Sequence, residues 1–266
     1  MRCVYINLAD AQERRAWMDR HLADVAPPGI EPARFEAVTA AAAAGLPGNA
    51  RPAEKACFKS HREAIAAHHD GEAPLLVLED DVRLSPRAFA AHRLPPGDGW
   101  DLLFVDAVLA DPGLWIGLAK NRPGLAAEDR IRVIDLATVR FAAASAYVVN
   151  GRSKARVLAA LDAFERLDLP YDLALRELVR TRRLDACLTF PYLSTVAAEV
   201  AEASQIQPGG NAADRISNAF RRLMFVDRDL TASRKEAETI AAGCDEESRL
   251  VGLILGGVIS GQFGRK

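Results

Sequence analysis

Four consecutive apolar residues, Leu75, Leu76, Val77 and Leu78, run directly into three acids, Glu79, Asp80 and Asp81. The apolar run reads as a buried strand, and three mutually repelling carboxylates at its end require a reason. A second predicted strand, Asp101 to Ala107, also carries an acid near its end, Asp106. In an open parallel sheet ligands collect at the carboxyl ends of the strands, so acids placed there carry a functional weight that acids elsewhere lack.

The rest of the chain supplies the other strands and the helices between them. Residues 3 to 8, Cys-Val-Tyr-Ile-Asn-Leu, predict a first strand, and Gln12 to Val25 a helix with Trp17, Met18, Leu22 and Val25 at helical spacing. A brief strand is expected around Phe35 to Val38, then a loop rich in Pro, Gly and Ala. A helix from about Glu54 puts Cys57, His61, Ala64, Ile65 and His68 on one face and stops at His69-Asp70-Gly71. Ser85-Pro86 is an N-cap followed by proline at the first helical position. The Asp-Pro-Gly and Arg-Pro-Gly runs between 111 and 130 predict loop and short irregular pieces. Strands at Ile131 to Ile134 and Ala146 to Val149 and a helix from about Ser153 to Leu167 follow. This alternation predicts an α/β sandwich with a mainly parallel central sheet. Past Gln207 the pattern becomes helical, giving a domain over 1–207 and a helical extension over 208–266.

Composition removes several classes. Of 266 residues 50% are hydrophobic and 26% charged, the balance of a soluble globular chain with a real core. A net charge of -2 gives no reason to expect nucleic acid, whose binding rests on clustered Lys and Arg. The cysteines at 3, 57, 187 and 244 form no CxxC pair, which fits a reduced compartment better than disulfides or a zinc knuckle. The first residues lack the layout of a secretory signal, so a cytoplasmic location is expected. The apolar run "LVGLILGGVIS" falls short of the roughly 18–20 residues that span a bilayer and reads as a packed or interfacial helix.

Along an extended chain residues i and i+2 point the same way, which predicts Glu79 and Asp81 on one side of the strand and Asp80 on the other. Two carboxylates facing one point suit a hard divalent cation, Mn²⁺ or Mg²⁺, held against substrate phosphates. The plainer reading is that Asp80 or Asp81 caps a turn while the others are solvated. His68 and His69 point in different directions and have no second pair at ligand spacing, so they read as surface. No P-loop, GxGxxG or GxSxG motif is present.

The order of several motifs narrows this further. "EKACFKSH", with Glu54, Cys57, Ser60 and His61, is followed by "LVLEDDV", and the chain opens with "VYINLADAQERRAWM", containing Asn7, Leu8, Arg14 and Arg15. "FEAVTA", "SAYVVNGRSKARVL", "LPYDLAL" and "FPYLSTVAAEVAEASQI" come after in that order or between. Over about residues 3 to 206 this resembles the glycosyltransferase family 25 domain, the lipooligosaccharide galactosyltransferase type. Two departures stand out: "FAAASAY" has Ala and Ser where the family has a Gly, and Asp106 stands where a small residue is more usual.

The resemblance implies a GT-A-like fold, a UDP-sugar donor carrying galactose or glucose, a metal in the acidic motif, and inversion at the anomeric carbon. On that reading Glu79 and Asp81 are the metal ligands and Asn7, Leu8, Arg14 (or Arg15), Ser60, His61 and Asp80 the donor-binding residues, against a turn-forming Asn7, a solvated helix face for at least one of the arginines and a structural His61. Direct displacement also needs a base beside the acceptor hydroxyl. Asp172 is the first choice and Asp106 the second, although Asp172 is equally placed to cap a helix. The acceptor would be a glycan or a lipid-linked glycan. Two other classes compete: a noncatalytic nucleotide-sugar or glycan binding module, and a phosphoester hydrolase, which would need further ligands. In the tail, Arg215, Arg221 and Arg222 beside Phe220, Leu223, Met224 and Phe225 suit an anionic membrane surface, an oligomer interface or plain core packing.

Overall fold

A computed structural model of the protein describes residues 1–95, 97, 99–201 and 212–260. The strands are β1 (Arg2–Asn7), β2 (Ala33–Glu36), β3 (Leu75–Glu79), β4 (Val82–Leu84), β5 (Leu102–Phe104), β6 (Val108–Leu109), β7 (Arg132–Asp135), β8 (Phe141–Ala142), β9 (Ala146–Val149), β10 (Ala186–Phe190) and β11 (Ser194–Val196). The helices are α1 (Gln12–Val25), α2 (Ala40–Ala43), α3 (Pro52–Ala67), α4 (Pro112–Ala127), α5 (Lys154–Asp162), α6 (Tyr171–Arg180), α7 (Ala198–Ala201), α8 (Ala212–Met224), α9 (Leu230–Ala242) and α10 (Glu246–Ile259). Two 3₁₀ turns, Pro86–Arg93 and Gly151–Ser153, complete the order, the first capped by the Ser85 hydroxyl.

Seven strands form one sheet in the order β2-β1-β3-β9-β5-β10-β7, with small two-stranded sheets β4–β11 and β6–β8 beside it. The period of two along β3 divides the core. Leu75 and Val77 pack on one face with Phe58, Ala64 and Ile65 of α3 and Val157 of α5. Leu76 and Leu78 pack on the other with Met18 and Leu22 of α1 and with Phe89. The four apolar residues of β3, Leu75 to Leu78, are fully buried, which is why that run carries no polar side chain until the sheet edge.

One expectation is sharpened and two change. Five of the seven strands run the same way, so the sheet is mainly parallel but mixed: β1 pairs with β2 and β3, and β5 with β10, in parallel, whereas β9 runs against both β3 and β5, and β7 against β10. The chain re-enters β9 through β8 and Ser145, from the edge where β3 and β5 end, so β9 must run backwards. The segment after 111 is helix, not loop. Asp111 caps α4 through Gly113 N and Leu114 N with Pro112 in the first turn, and Pro123 is carried inside the helix. The helix expected to reach Leu167 stops at Asp162, and Leu167 instead hydrogen-bonds across to Pro47 and Ala50.

The basic tail turns inward. Arg221, Met224 and Phe225 are buried, Phe220 stacks on Trp115 with ring centroids 4.5 Å apart, and Arg222 pairs with Glu236 of α9. These residues therefore pack on the protein. Exposed apolar surface lies instead on α10, where Leu253 and Ile254 are 74% and 70% exposed. No helix among the described residues is long and apolar enough to cross a membrane.

Candidate functional site

The ends of β1, β3 and β5 and the start of β9 lie along one edge of the sheet, which gathers Asn7, Glu79, Asp106 and Ser145. Glu79, in step with Leu75 and Val77, meets α3. Its Oε1 lies 3.4 Å from His61 Nε2 and 4.0 Å from Cys57 Sγ. The fully buried His61 ring has Nδ1 3.0 Å from the Tyr147 hydroxyl, which is 2.8 Å from the Tyr171 hydroxyl, and it stacks on Tyr171. The four groups form one hydrogen-bonded file, from Tyr171 through Tyr147 and His61 to Glu79.

Asp80, in step with Leu76 and Leu78, meets α1. Its Oδ2 accepts 2.6 Å from Asn7 Nδ2, and its Oδ1 lies 2.9 Å from Arg14 Nη2. The Asn7 carboxamide oxygen accepts 3.0 Å from Arg34 Nε, so the side chain is held from both ends. Asp81 does not face the way that strand alternation predicts. The strand stops at Glu79 and residues 80 and 81 form a turn, so Asp81 also reaches Arg14, with Oδ2 2.6 Å from Nη2. Its other oxygen, Oδ1, is buried and has no hydrogen-bond partner among the described residues, and neither has Arg14 Nε. Arg15, by contrast, is exposed and pairs with Asp19.

Burial, and after it the Glu79 charge, push Asp81 up to about 6 against the pull of Arg14. Burial alone would also raise Glu79, but the His61 hydrogen bond and charge, with Arg14 and Arg221 further off, hold it below the usual carboxylate value. Asp80 is raised by burial, offset in part by Arg14 and Asn7. Hard divalent cations take oxygen donors, and the open Asp81 Oδ1 is one donor of that kind.

Arg221 closes the site from the tail. Its Nε and Nη2 lie 3.0 and 2.5 Å from Asp106 Oδ2, and Nη2 is 2.6 Å from Ser145 Oγ. Both charged side chains are almost wholly buried. Asp106 is thereby committed to an ion pair. Asp172 lies in the first turn of α6, half-buried, where Oδ1 accepts from Leu173 N at 2.9 Å and Oδ2 from Ala143 N at 2.8 Å. Ser60 is occupied within the fold, its hydroxyl donating to Ala56 O at 2.7 Å and accepting from Val38 N at 2.8 Å. Leu8 is half-buried just past β1, its carbonyl accepting from Ala11 N.

Ala143 has φ of 66°, the left-handed region that favours glycine, and it lies in the "FAAASAY" stretch where a glycine was expected. Asp172 therefore holds a strained peptide in place. We expect Ala143→Gly to stabilise the fold by roughly 0.5–1 kcal/mol, the left-handed cost of an L-residue less the extra entropy of glycine. Chemical denaturation checks this; a loss of stability would mean that the Ala143 methyl packs usefully.

Sequence reasoning does not single out Arg34, Tyr147 or Tyr171 as members of the site, and leaves Arg221 open between a membrane surface, an oligomer interface and core packing. Tyr171 had a signal, since it precedes Asp172 in "LPYD". Arg221 had none, because its partner lies 115 positions away. Comparison with protein-family models and with curated proteins finds no match to this chain.

Proposed function

We propose that the protein is a metal-dependent inverting hexosyltransferase on a GT-A-like sandwich. It would move galactose or glucose from a UDP-sugar to a glycan acceptor of bacterial surface lipooligosaccharide, working on the cytoplasmic side. The observation that carries this reading is the convergence of Asn7, Arg14, Glu79, Asp80 and Asp81 on one sheet edge, with Asp81 Oδ1 buried and open. Glu79 and Asp81 would hold Mn²⁺ or Mg²⁺, which when bound offsets charge on the departing diphosphate.

The chain's own groups do the rest. Arg14 fixes the direction of Asp80 and Asp81, and its Nε is the donor left for a phosphate oxygen. Asn7, held by Arg34, positions Asp80 at the donor side. We assign the base to Asp172, which has lone pairs beyond its two backbone bonds, and give Asp106 a positioning role because Arg221 holds it. The backbone bonds that engage both Asp172 oxygens, together with the ion pair that holds Asp106, favour the noncatalytic binding module as a second reading.

The test is UDP release from UDP-galactose and UDP-glucose. Release that requires Mn²⁺ and rises with a glycan acceptor is expected. Binding without release would favour the module, and hydrolysis of simple phosphoesters without acceptor would favour a hydrolase.

A further inference from the structure

Cys57 and His61 lie one helical turn apart on α3, and both reach Glu79 at the end of β3. Cys57 Sγ, a His61 ring nitrogen and a Glu79 carboxylate oxygen all lie within 4.8 Å of one another. Their separations from Glu79 Oε1, 4.0 Å for sulfur and 3.4 Å for nitrogen, are close to those between neighbouring ligands of one tetrahedral ion with bonds of about 2.3 Å to sulfur and 2.0–2.2 Å to nitrogen and oxygen. The donor set differs in kind from the all-oxygen set of Glu79 and Asp81. A thiolate with an imidazole selects a borderline ion, not Mn²⁺ or Mg²⁺.

We infer that Cys57, His61 and Glu79 form a second, softer metal site that takes Zn²⁺ or an ion of its class. The surroundings are arranged for it. A ligating histidine needs its other ring nitrogen held, and His61 Nδ1 is held by the Tyr147 hydroxyl, itself bonded to Tyr171. That file accommodates either direction of hydrogen bonding. With His61 protonated at Nε2 it ends on Glu79. With the proton at Nδ1, His61 donates to Tyr147, Tyr147 donates to Tyr171, and Nε2 is released for the ion. Binding displaces the Cys57 thiol proton to solvent, and the thiolate and carboxylate together balance the two charges of the ion. Glu79 is half-buried and its side chain is 33% exposed, which leaves an entry path and an open fourth position.

Sharing Glu79 makes the two ions antagonists: Zn²⁺ at this site takes a ligand from the hard site. The soft site itself does not depend on the transferase reading, and the two fail separately.

The experiment uses the full chain under reducing conditions. Equilibrium dialysis with Zn²⁺ should give one tightly held ion per chain, and Co²⁺ should give a thiolate-to-metal charge-transfer band with tetrahedral visible bands. The charge-transfer band should vanish in Cys57→Ser and persist in Cys244→Ser. Tyr147→Phe should weaken binding by about 10–100-fold, the usual effect of losing a group that holds a ligand. No tight Zn²⁺, or a charge-transfer band unchanged by Cys57→Ser, would overturn the proposal. Circular dichroism of each variant separates lost binding from lost folding. Mn²⁺-dependent UDP binding, which needs no thiol, is measured on Cys57→Ser alongside: its survival there with loss of the cobalt band supports the soft site, and its absence in wild type overturns only the transferase reading.

Discussion

Asp106→Ala should destabilise the folded protein by about 3–5 kcal/mol, because it leaves the Arg221 guanidinium buried without its carboxylate. At roughly 2–4 °C per kcal/mol for a chain of this size, that is a fall in Tm of about 6–20 °C. The loss reflects stranding a charge more than the strength of the pair. Arg221→Met should cost a similar amount by stranding Asp106, whereas Asp106→Leu combined with Arg221→Met should recover most of it. Denaturant unfolding of the singles and the double forms the cycle. Additive losses would mean that the two groups are not coupled, and that α8 is held by its apolar contacts alone. The same ion pair implies that removing the chain beyond 208 would leave Asp106 uncompensated at the site, because Arg221 and Met224 of α8 are buried against the sheet domain.

Asp81→Asn should move stability and function in opposite directions. The folded value of about 6 lies above the ordinary aspartate value of 3.8. A carboxyl raised in this way contributes stability below about pH 4 and loses it as pH rises from about 4 to 6, since the folded state then releases a proton it holds more tightly than the unfolded chain does. At pH 7 the wild-type chain carries the ionised group at a cost that Asn avoids. The shift corresponds to about 3 kcal/mol at most, and Arg14 loses one of its two charged partners, so a net gain on the order of 1–2 kcal/mol is expected. The gain should disappear at pH 4. If Asp81 holds the ion, the same substitution should abolish Mn²⁺-dependent nucleotide binding. A variant less stable at pH 7 than wild type would show that Arg14 outweighs burial and Glu79. Such opposed effects are the mark of a residue kept for its ligand.

The layered fold was legible because it is written in local periods: four apolar residues in β3, and helical spacing in α1 and α3. Direction was less legible. Nothing within Ala146–Val149 distinguishes a strand running with β3 from one running against it, since a strand buried on both faces has the same composition either way. The α4 helix was hidden because Asp-Pro-Gly serves a turn and an N-cap equally well, and only packing decides. At the site, Glu79 and Asp80 follow from alternation along β3. Asp81 does not, because the strand ends at Glu79 and Asp81 is the second residue of the turn that follows. Arg34 and Arg221 reach the site through pairings that no local pattern encodes.

The central claim is that these acids exist to hold a divalent ion against a nucleotide diphosphate. Thermal unfolding of the wild-type chain with UDP, with and without Mn²⁺, tests it most directly, since a ligand of the folded state at about 100 times its Kd adds about 2.7 kcal/mol. The account predicts that UDP raises Tm only when Mn²⁺ is present, and that Glu79→Gln abolishes the rise. A UDP shift that is the same without Mn²⁺, or no shift with any nucleotide, would contradict it.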